Sequence, residues 1–274
     1  MVAVDAAIAR LQRHCRSAAK IGRRYIAPAS DTERTVIFVA GQQRSGTNML
    51  MDMLDRHWRT DVFHETDSRA FDQFQMRDLP TIQALVRRSL ASHVVIKALC
   101  ESHRLKALLD AFPGSRAIWL VRHYHDVSDS MAKQFSTTAL ALKQMRSDPA
   151  LGGWRGEGMS ASVQALLEEC VADDITEVSA AAFQWLMRNQ LYFDQAFDRD
   201  QRVKLVFYED LVACPQATLE AAMVSVGLDY RRSLTAHVFA SSVRKSGKPP
   251  IDPRIDALCQ QLFDRLTIAA QTRP

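Results

Sequence analysis

Residues Thr35–Leu50, TVIFVAGQQRSGTNML, constrain the fold more than any other stretch. Val36–Val39 is a run of β-branched and aromatic residues, the make-up of a buried strand. It ends in Ala40-Gly41. A polar loop, Gln42-Gln43-Arg44-Ser45-Gly46-Thr47-Asn48, follows, and then an apolar helical pattern begins. Strand, loop and helix start in that order aim backbone N–H groups and the positive end of a helix dipole at one spot, which is how a chain holds phosphate. Gly41 and Gly46 carry the spacing of the nucleotide-binding loop G-x-x-x-x-G-K-[ST]. The lysine is missing. Thr47 stands in its place, and the cation, Arg44, lies inside the loop. The pattern is that of an anion cradle without the ATPase lysine.

Further strand and helix patterns alternate behind it. Asp61–Glu65, His93–Leu99, Arg116–Val121 and Arg202–Tyr208 read as strands. Helical periods run over Asp78–Leu90, from an N-cap at Ser102 to Phe112, over Tyr124–Arg146, and over Ser162–Asp200 with a break near Asp173-Asp174. A helix follows Tyr208 to about Val226, and a last one spans Ile255–Ala270. Such alternation predicts an α/β fold, P-loop-like and three-layered, with a central parallel sheet flanked by helices. Ligands in such sheets sit beyond the carboxyl ends of the strands. No repeat or linker breaks the chain, so one domain over residues 1–274 is expected. Residues 3–20 have the apolar spacing of an additional N-terminal helix. Asp148–Ser160 holds four of the ten glycines and reads as a mobile loop over the site, with Trp154 and Arg155 able to touch substrate.

Arg44-Ser45-Gly46-Thr47-Asn48, then Met49-Leu50, resembles the 5′-phosphosulfate loop of sulfotransferases that use 3′-phosphoadenosine-5′-phosphosulfate (PAPS). Arg122, which closes a strand, and Ser130, eight positions on, resemble that family's 3′-phosphate motif. Leu205–Leu211, LVFYEDL, resembles its late strand. The likeness runs from about Thr35 to Lys248. It implies transfer of a sulfuryl group from PAPS to an acceptor hydroxyl, with release of adenosine 3′,5′-bisphosphate (PAP). By the same resemblance, Arg44 and the residues through Asn48 hold the phosphosulfate, and Tyr208 approaches the adenine. Arg244, Lys245, Ser246 and Gly247 resemble, in part, a C-terminal basic loop that touches the 3′-phosphate. Ser246 departs from its first glycine.

The base is where the chain diverges. Cytosolic members carry K-T-H at the end of the third strand, whereas here it reads Lys97-Ala98-Leu99. Other members, carbohydrate sulfotransferases among them, use a glutamate at the end of the second strand, and Glu65 occupies that kind of place. His64 and His103 are the other candidates, and Lys97 is in reach of the sulfate. Glu209 and Asp210 are expected to cap the next helix. His123-x-His125 has no evident third ligand, so no metal is expected.

Composition narrows the partners. The net charge of +4 is too mild for nucleic acid as the main partner and suits a local basic pocket for a small polyanion. Five scattered cysteines without a C-x-x-C pair fit a reducing cytoplasm. The N-terminus lacks a secretory apolar core, and no stretch approaches the ~18 apolar residues of a membrane span. A bacterial, cytoplasmic enzyme is the expectation, with a sugar, phenol, lipid or tyrosyl peptide as acceptor. Two other readings stay open here. A nucleotide kinase or NTPase would need a Walker lysine. A non-catalytic PAP-binding protein would bind without turnover.

Overall fold

The computed structural model describes residues 20, 22, 34–235 and 247–272. The N-terminal helix expected over residues 3–20 lies outside them but for Lys20, as do Arg244, Lys245 and Ser246. Five strands, β1 (Thr35–Gly41), β2 (Thr60–Phe63), β5 (His93–Lys97), β6 (Arg116–Val121) and β7 (Val203–Phe207), form one sheet. Its order is β2-β5-β1-β6-β7, and every pairing is parallel. A small antiparallel hairpin, β3 (Phe71–Asp72) with β4 (Gln75–Met76), lies apart from it.

Both faces of the sheet are buried, as parallel sheets require. Period-two alternation sends Val36, Phe38 and Ala40 of β1 into one core and Ile37 and Val39 into the other. In β6, Ala117, Trp119 and Val121 oppose Ile118 and Leu120 in the same way. The larger core takes helices Tyr124–Gln134, Glu177–Asp194 and Pro253–Gln271, and the smaller takes Thr47–Asp55 and Pro215–Ser225. These are the three layers expected from the sequence.

Several boundaries differ from the sequence pattern. The helix expected over Tyr124–Arg146 is two, Tyr124–Gln134 and Thr138–Ser147, because the backbone is extended at Phe135. The Ser162–Asp200 pattern also divides, with Ala161–Cys170 ending at Val171 and Glu177–Asp194 capped by Thr176. Ser102 is not an N-cap. The chain turns at once after β5 into the 3-10 helix Cys100–Arg104, and the Ser102 hydroxyl donates back to the Leu99 and Ala98 carbonyls at 2.8 and 3.1 Å. Asp148–Ser160 contains a 3-10 helix, Pro149–Arg155, packed on its neighbours, with Gly152 buried against Met145.

The amino ends of the strands carry two buried imidazoles, His57 and His93, at 1% and 4% exposure. Burial first, then Arg59 and His57, push the His93 pKa down to about 4. An unfolded chain has a histidine near 6.5. Between those two values the unfolded state binds a proton that the folded state refuses, so stability falls as pH falls through that window. The loss should reach about 3 kcal/mol by pH 4. Urea unfolding from pH 7.5 to 4 checks it: His93→Asn should flatten that part of the profile, and an equally steep fall in the variant would count against it.

Candidate active site

Each of the five parallel strands ends at the same cavity, about 290 Å³ in volume. The loop after β1 contributes Gln43, Arg44, Gly46, Thr47 and Asn48 to its lining. The turn after β2 contributes Glu65, β5 contributes Lys97 and Leu99 at its end, β6 delivers Arg122, and β7 delivers Tyr208. Met49 and Phe135 complete the wall. The carboxyl-end placement follows from the parallel topology: every strand enters from the opposite side, so its last residues converge here.

The cradle has the backbone that its sequence requires. Arg44 and Gly46 both have left-handed backbones, φ 66° and 89°. At Gly46 a Cβ would lie 2.3 Å from the Tyr208 ring, so only glycine lets the loop pass beneath that tyrosine. Gly41 lies equally close to β6, where a Cβ would meet the Leu120 carbonyl oxygen at 2.3 Å. Helix Thr47–Asp55 starts at the cavity, and the cap at Gly46 supplies no side-chain oxygen to its first N–H groups. Those donors, at the positive end of the helix, suit an anion.

Three cations and one carboxylate meet here. Lys97 is 2% exposed and is held between the Asn48 amide oxygen, at 2.6 Å, and the Glu65 carboxylate. Arg44 Nε donates to Ser130 Oγ at 2.9 Å. Arg122 Nη1 donates to the Arg44 carbonyl at 3.4 Å, and its guanidinium stacks over the Tyr208 ring at 4.6 Å. Asp126 pairs with Arg122 at 3.2 Å, and the Trp185 indole N–H donates to the Arg122 carbonyl at 2.9 Å. Arg44, Gly46, Thr47, Asn48, Glu65, Lys97, Arg122 and Tyr208 are thus brought together, with Ser130 bonded to Arg44.

Other expected residues fall elsewhere. The Ser45 hydroxyl is buried and has no hydrogen-bond partner among the described residues; Ser45 is fully enclosed and its side chain does not join the lining. Gly247 lines a second cavity of about 640 Å³, with His123, His125, Glu209 and Lys248. Glu209 does not cap its helix. It accepts the His123 backbone N–H at 2.9 Å, and burial raises its pKa. His103 faces Glu157 at 3.2 Å, and neither it nor His64 joins the Arg44 cavity. His123 Nδ1 accepts the His125 N–H at 3.2 Å, while His125 pairs with Asp256 at 2.9 Å. No cluster of three or more metal-ligating side chains occurs among the described residues.

Sequence reasoning missed Phe135, Asp126 and Trp185. Asp126 had a signal, since it lies four positions after Arg122 on a helix start. Phe135 and Trp185 reach the site only through helix packing, which no local pattern encodes. No helix among the described residues is long and apolar enough to cross a membrane.

No protein-family model matches the chain, and no curated protein matches its sequence. Solved structures do resemble it. The sulfotransferase domain from the curacin biosynthetic pathway aligns with TM-score 0.52 and 15% identity, over 84% of this chain and 98% of that one. A sulfotransferase from Alicyclobacillus acidocaldarius aligns with TM-score 0.49 and 15% identity, over 87% and 94%. Mouse sulfotransferase SULT7A1 complexed with PAP aligns with TM-score 0.46 and 15% identity, over 92% and 93%. The chain therefore has the fold of the curacin-pathway sulfotransferase domain, a P-loop-like parallel sheet between two helical layers.

Proposed function

We propose that this chain is a PAPS-dependent sulfotransferase acting on an acceptor hydroxyl. The observation that carries the reading is the convergence of Arg44, Lys97 and Arg122 with one carboxylate, Glu65, at the ends of four parallel strands. Three separated cations suit a donor with three anionic groups. The uncapped helix start adds backbone donors beneath them.

In this reading Arg44 through Asn48 hold the 5′-phosphosulfate, and Arg122 with Ser130 hold the 3′-phosphate. Tyr208 flanks the adenine. Arg244, Lys245, Ser246 and Gly247 touch the 3′-phosphate. Glu65 removes the acceptor's proton as the acceptor oxygen bonds sulfur. The bond from sulfur to the bridging oxygen breaks, and PAP leaves with the electron pair. Arg44 and Lys97 stabilise the charge that grows on that oxygen. Arginine keeps its proton, so Arg44 acts by charge and not as a general acid. Sulfuryl transfer, like phosphoryl transfer, needs mainly positioning and charge stabilisation.

The test is incubation with sulfur-labelled PAPS and phenolic, sugar, lipid and tyrosyl-peptide acceptors, in EDTA. Transfer of label to a hydroxyl, with PAP released, is expected. A requirement for magnesium, or PAP binding with no transfer to any acceptor class, would overturn it.

A further inference from the structure

Two consecutive glutamines of the cradle loop have opposite fates. Gln42 turns into the core: it is fully buried, and its amide nitrogen donates to Met131 Sδ at 3.3 Å. Gln43 instead lines the Arg44 cavity. Its Oε1 is enclosed, and its side chain makes no hydrogen bond with any described residue. The charged neighbours in that lining are already engaged. Lys97 lies between Asn48 and Glu65, Arg44 bonds Ser130, and Arg122 pairs with Asp126. Gln43 is thus a polar group of the cavity wall for which the described chain supplies no partner. Buried polar atoms are nearly always hydrogen-bonded, so an enclosed amide oxygen without a donor points to a ligand that brings one.

The chemistry of the amide says what that ligand carries. An amide offers one acceptor oxygen and two N–H donors, and no charge. The terminal torsion of glutamine is soft, so rotation presents either end to the cavity. The anionic oxygens of a phosphosulfate only accept hydrogen bonds, and they repel a carbonyl oxygen. Their match is the cations and the backbone N–H groups at the start of helix Thr47–Asp55. A neutral hydroxyl both donates and accepts, so it satisfies either end of Gln43. Met49, Leu99 and Phe135 give the same cavity an apolar stretch of wall for a carbon skeleton. At about 290 Å³ the space is small for a ligand site, so a hydroxyl at Gln43 lies close to one at Glu65.

We propose that Gln43 binds a second, unreacting hydroxyl of the acceptor, so that the substrate is a vicinal diol. One hydroxyl faces Glu65 and loses its proton, and its neighbour bonds the Gln43 amide. This rests on reading the Arg44 cavity as the sulfuryl-transfer site. A sugar ring and a catechol both carry this chemistry.

Calorimetric titration of the PAP-loaded protein tests it with two pairs of probes. Catechol is compared with phenol, and cis-1,2-cyclohexanediol with cyclohexanol. In at least one pair the diol should bind about fivefold or more tightly than its monohydroxy partner, the worth of one neutral hydrogen bond. The pair that shows it tells an aromatic acceptor from a saturated one. Gln43→Met keeps the length of the side chain and removes both hydrogen-bonding ends. It should bring the members of that pair to equal affinity, with PAP affinity retained. The same diol preference in Gln43→Met, or none in either pair for the unaltered protein, overturns the proposal. So does a loss of PAP affinity in Gln43→Met, which would assign Gln43 to the nucleotide. Failure of the unaltered protein to bind PAP tells against the proposed function instead, and the diol comparison can still be made without nucleotide.

Discussion

Glu65→Gln should lower sulfuryl transfer by about 10²–10⁴-fold, the usual worth of a positioned general base. PAP affinity should change little. Glutamine has nearly the same shape, and its amide oxygen can still accept from Lys97, so the cavity wall should stay in place. Lys97 also keeps its bond to the Asn48 amide oxygen at 2.6 Å. What glutamine cannot do is take the acceptor's proton. Single-turnover transfer from labelled PAPS, measured beside PAP binding by calorimetry, separates the two effects. Near-normal transfer by the variant would remove Glu65 from the base role. A matching fall in PAP affinity would show that Glu65 acts through Lys97 and the cradle.

Removal of the Arg122 side chain should fall on the donor instead. Arg122→Ala is expected to weaken PAP binding by about 2–4 kcal/mol, the cost of truncating one side of a partly buried charge pair. The Arg122 side chain is only 13% exposed, so solvent screens it little. Two local effects add to the lost bond. Asp126, paired with Arg122 at 3.2 Å, is left with its charge facing the incoming phosphate. Tyr208 loses the guanidinium stacked at 4.6 Å. The informative comparison is PAP against AMP, which lacks the 3′-phosphate. The unaltered protein should prefer PAP strongly, and Arg122→Ala should nearly abolish the preference. The same preference in both proteins would break the assignment of Arg122 to the 3′-phosphate. Asp126→Asn in the Arg122→Ala background should recover part of the affinity, because it removes the stranded charge.

The parts of the site that could be read in advance are those in which a few neighbouring residues impose their own geometry. Gly41 and Gly46 are required by close approaches to Leu120 and Tyr208, and their spacing already marks a strand turning into a helix. Arg44, Lys97, Arg122 and Tyr208 all sit at or just past strand ends, which hydrophobic runs expose in a sequence. The boundaries that misled were set by tertiary context. Phe135 interrupts an apolar period that by itself runs on to Arg146. Ser102 looks like a helix cap until the chain is seen to turn immediately after Lys97. Gly152 lies where a Cβ would meet Met145 Sδ at 2.0 Å, a close approach that no local pattern announces.

Local sequence determined the strands, the phosphate-type loop and the alternation that makes a parallel sheet, because these depend on backbone sterics and on burial periods of two and 3.6. Only the tertiary structure decided which strand ends share a cavity. The order β2-β5-β1-β6-β7 sets Glu65 and Lys97 on one side of the cradle and Arg122 and Tyr208 on the other. It also sends Gly247 to the second cavity and leaves the Ser45 hydroxyl enclosed. Contacts between residues far apart in the chain follow from how helices pack on both faces of the sheet, and no short window of sequence carries that information.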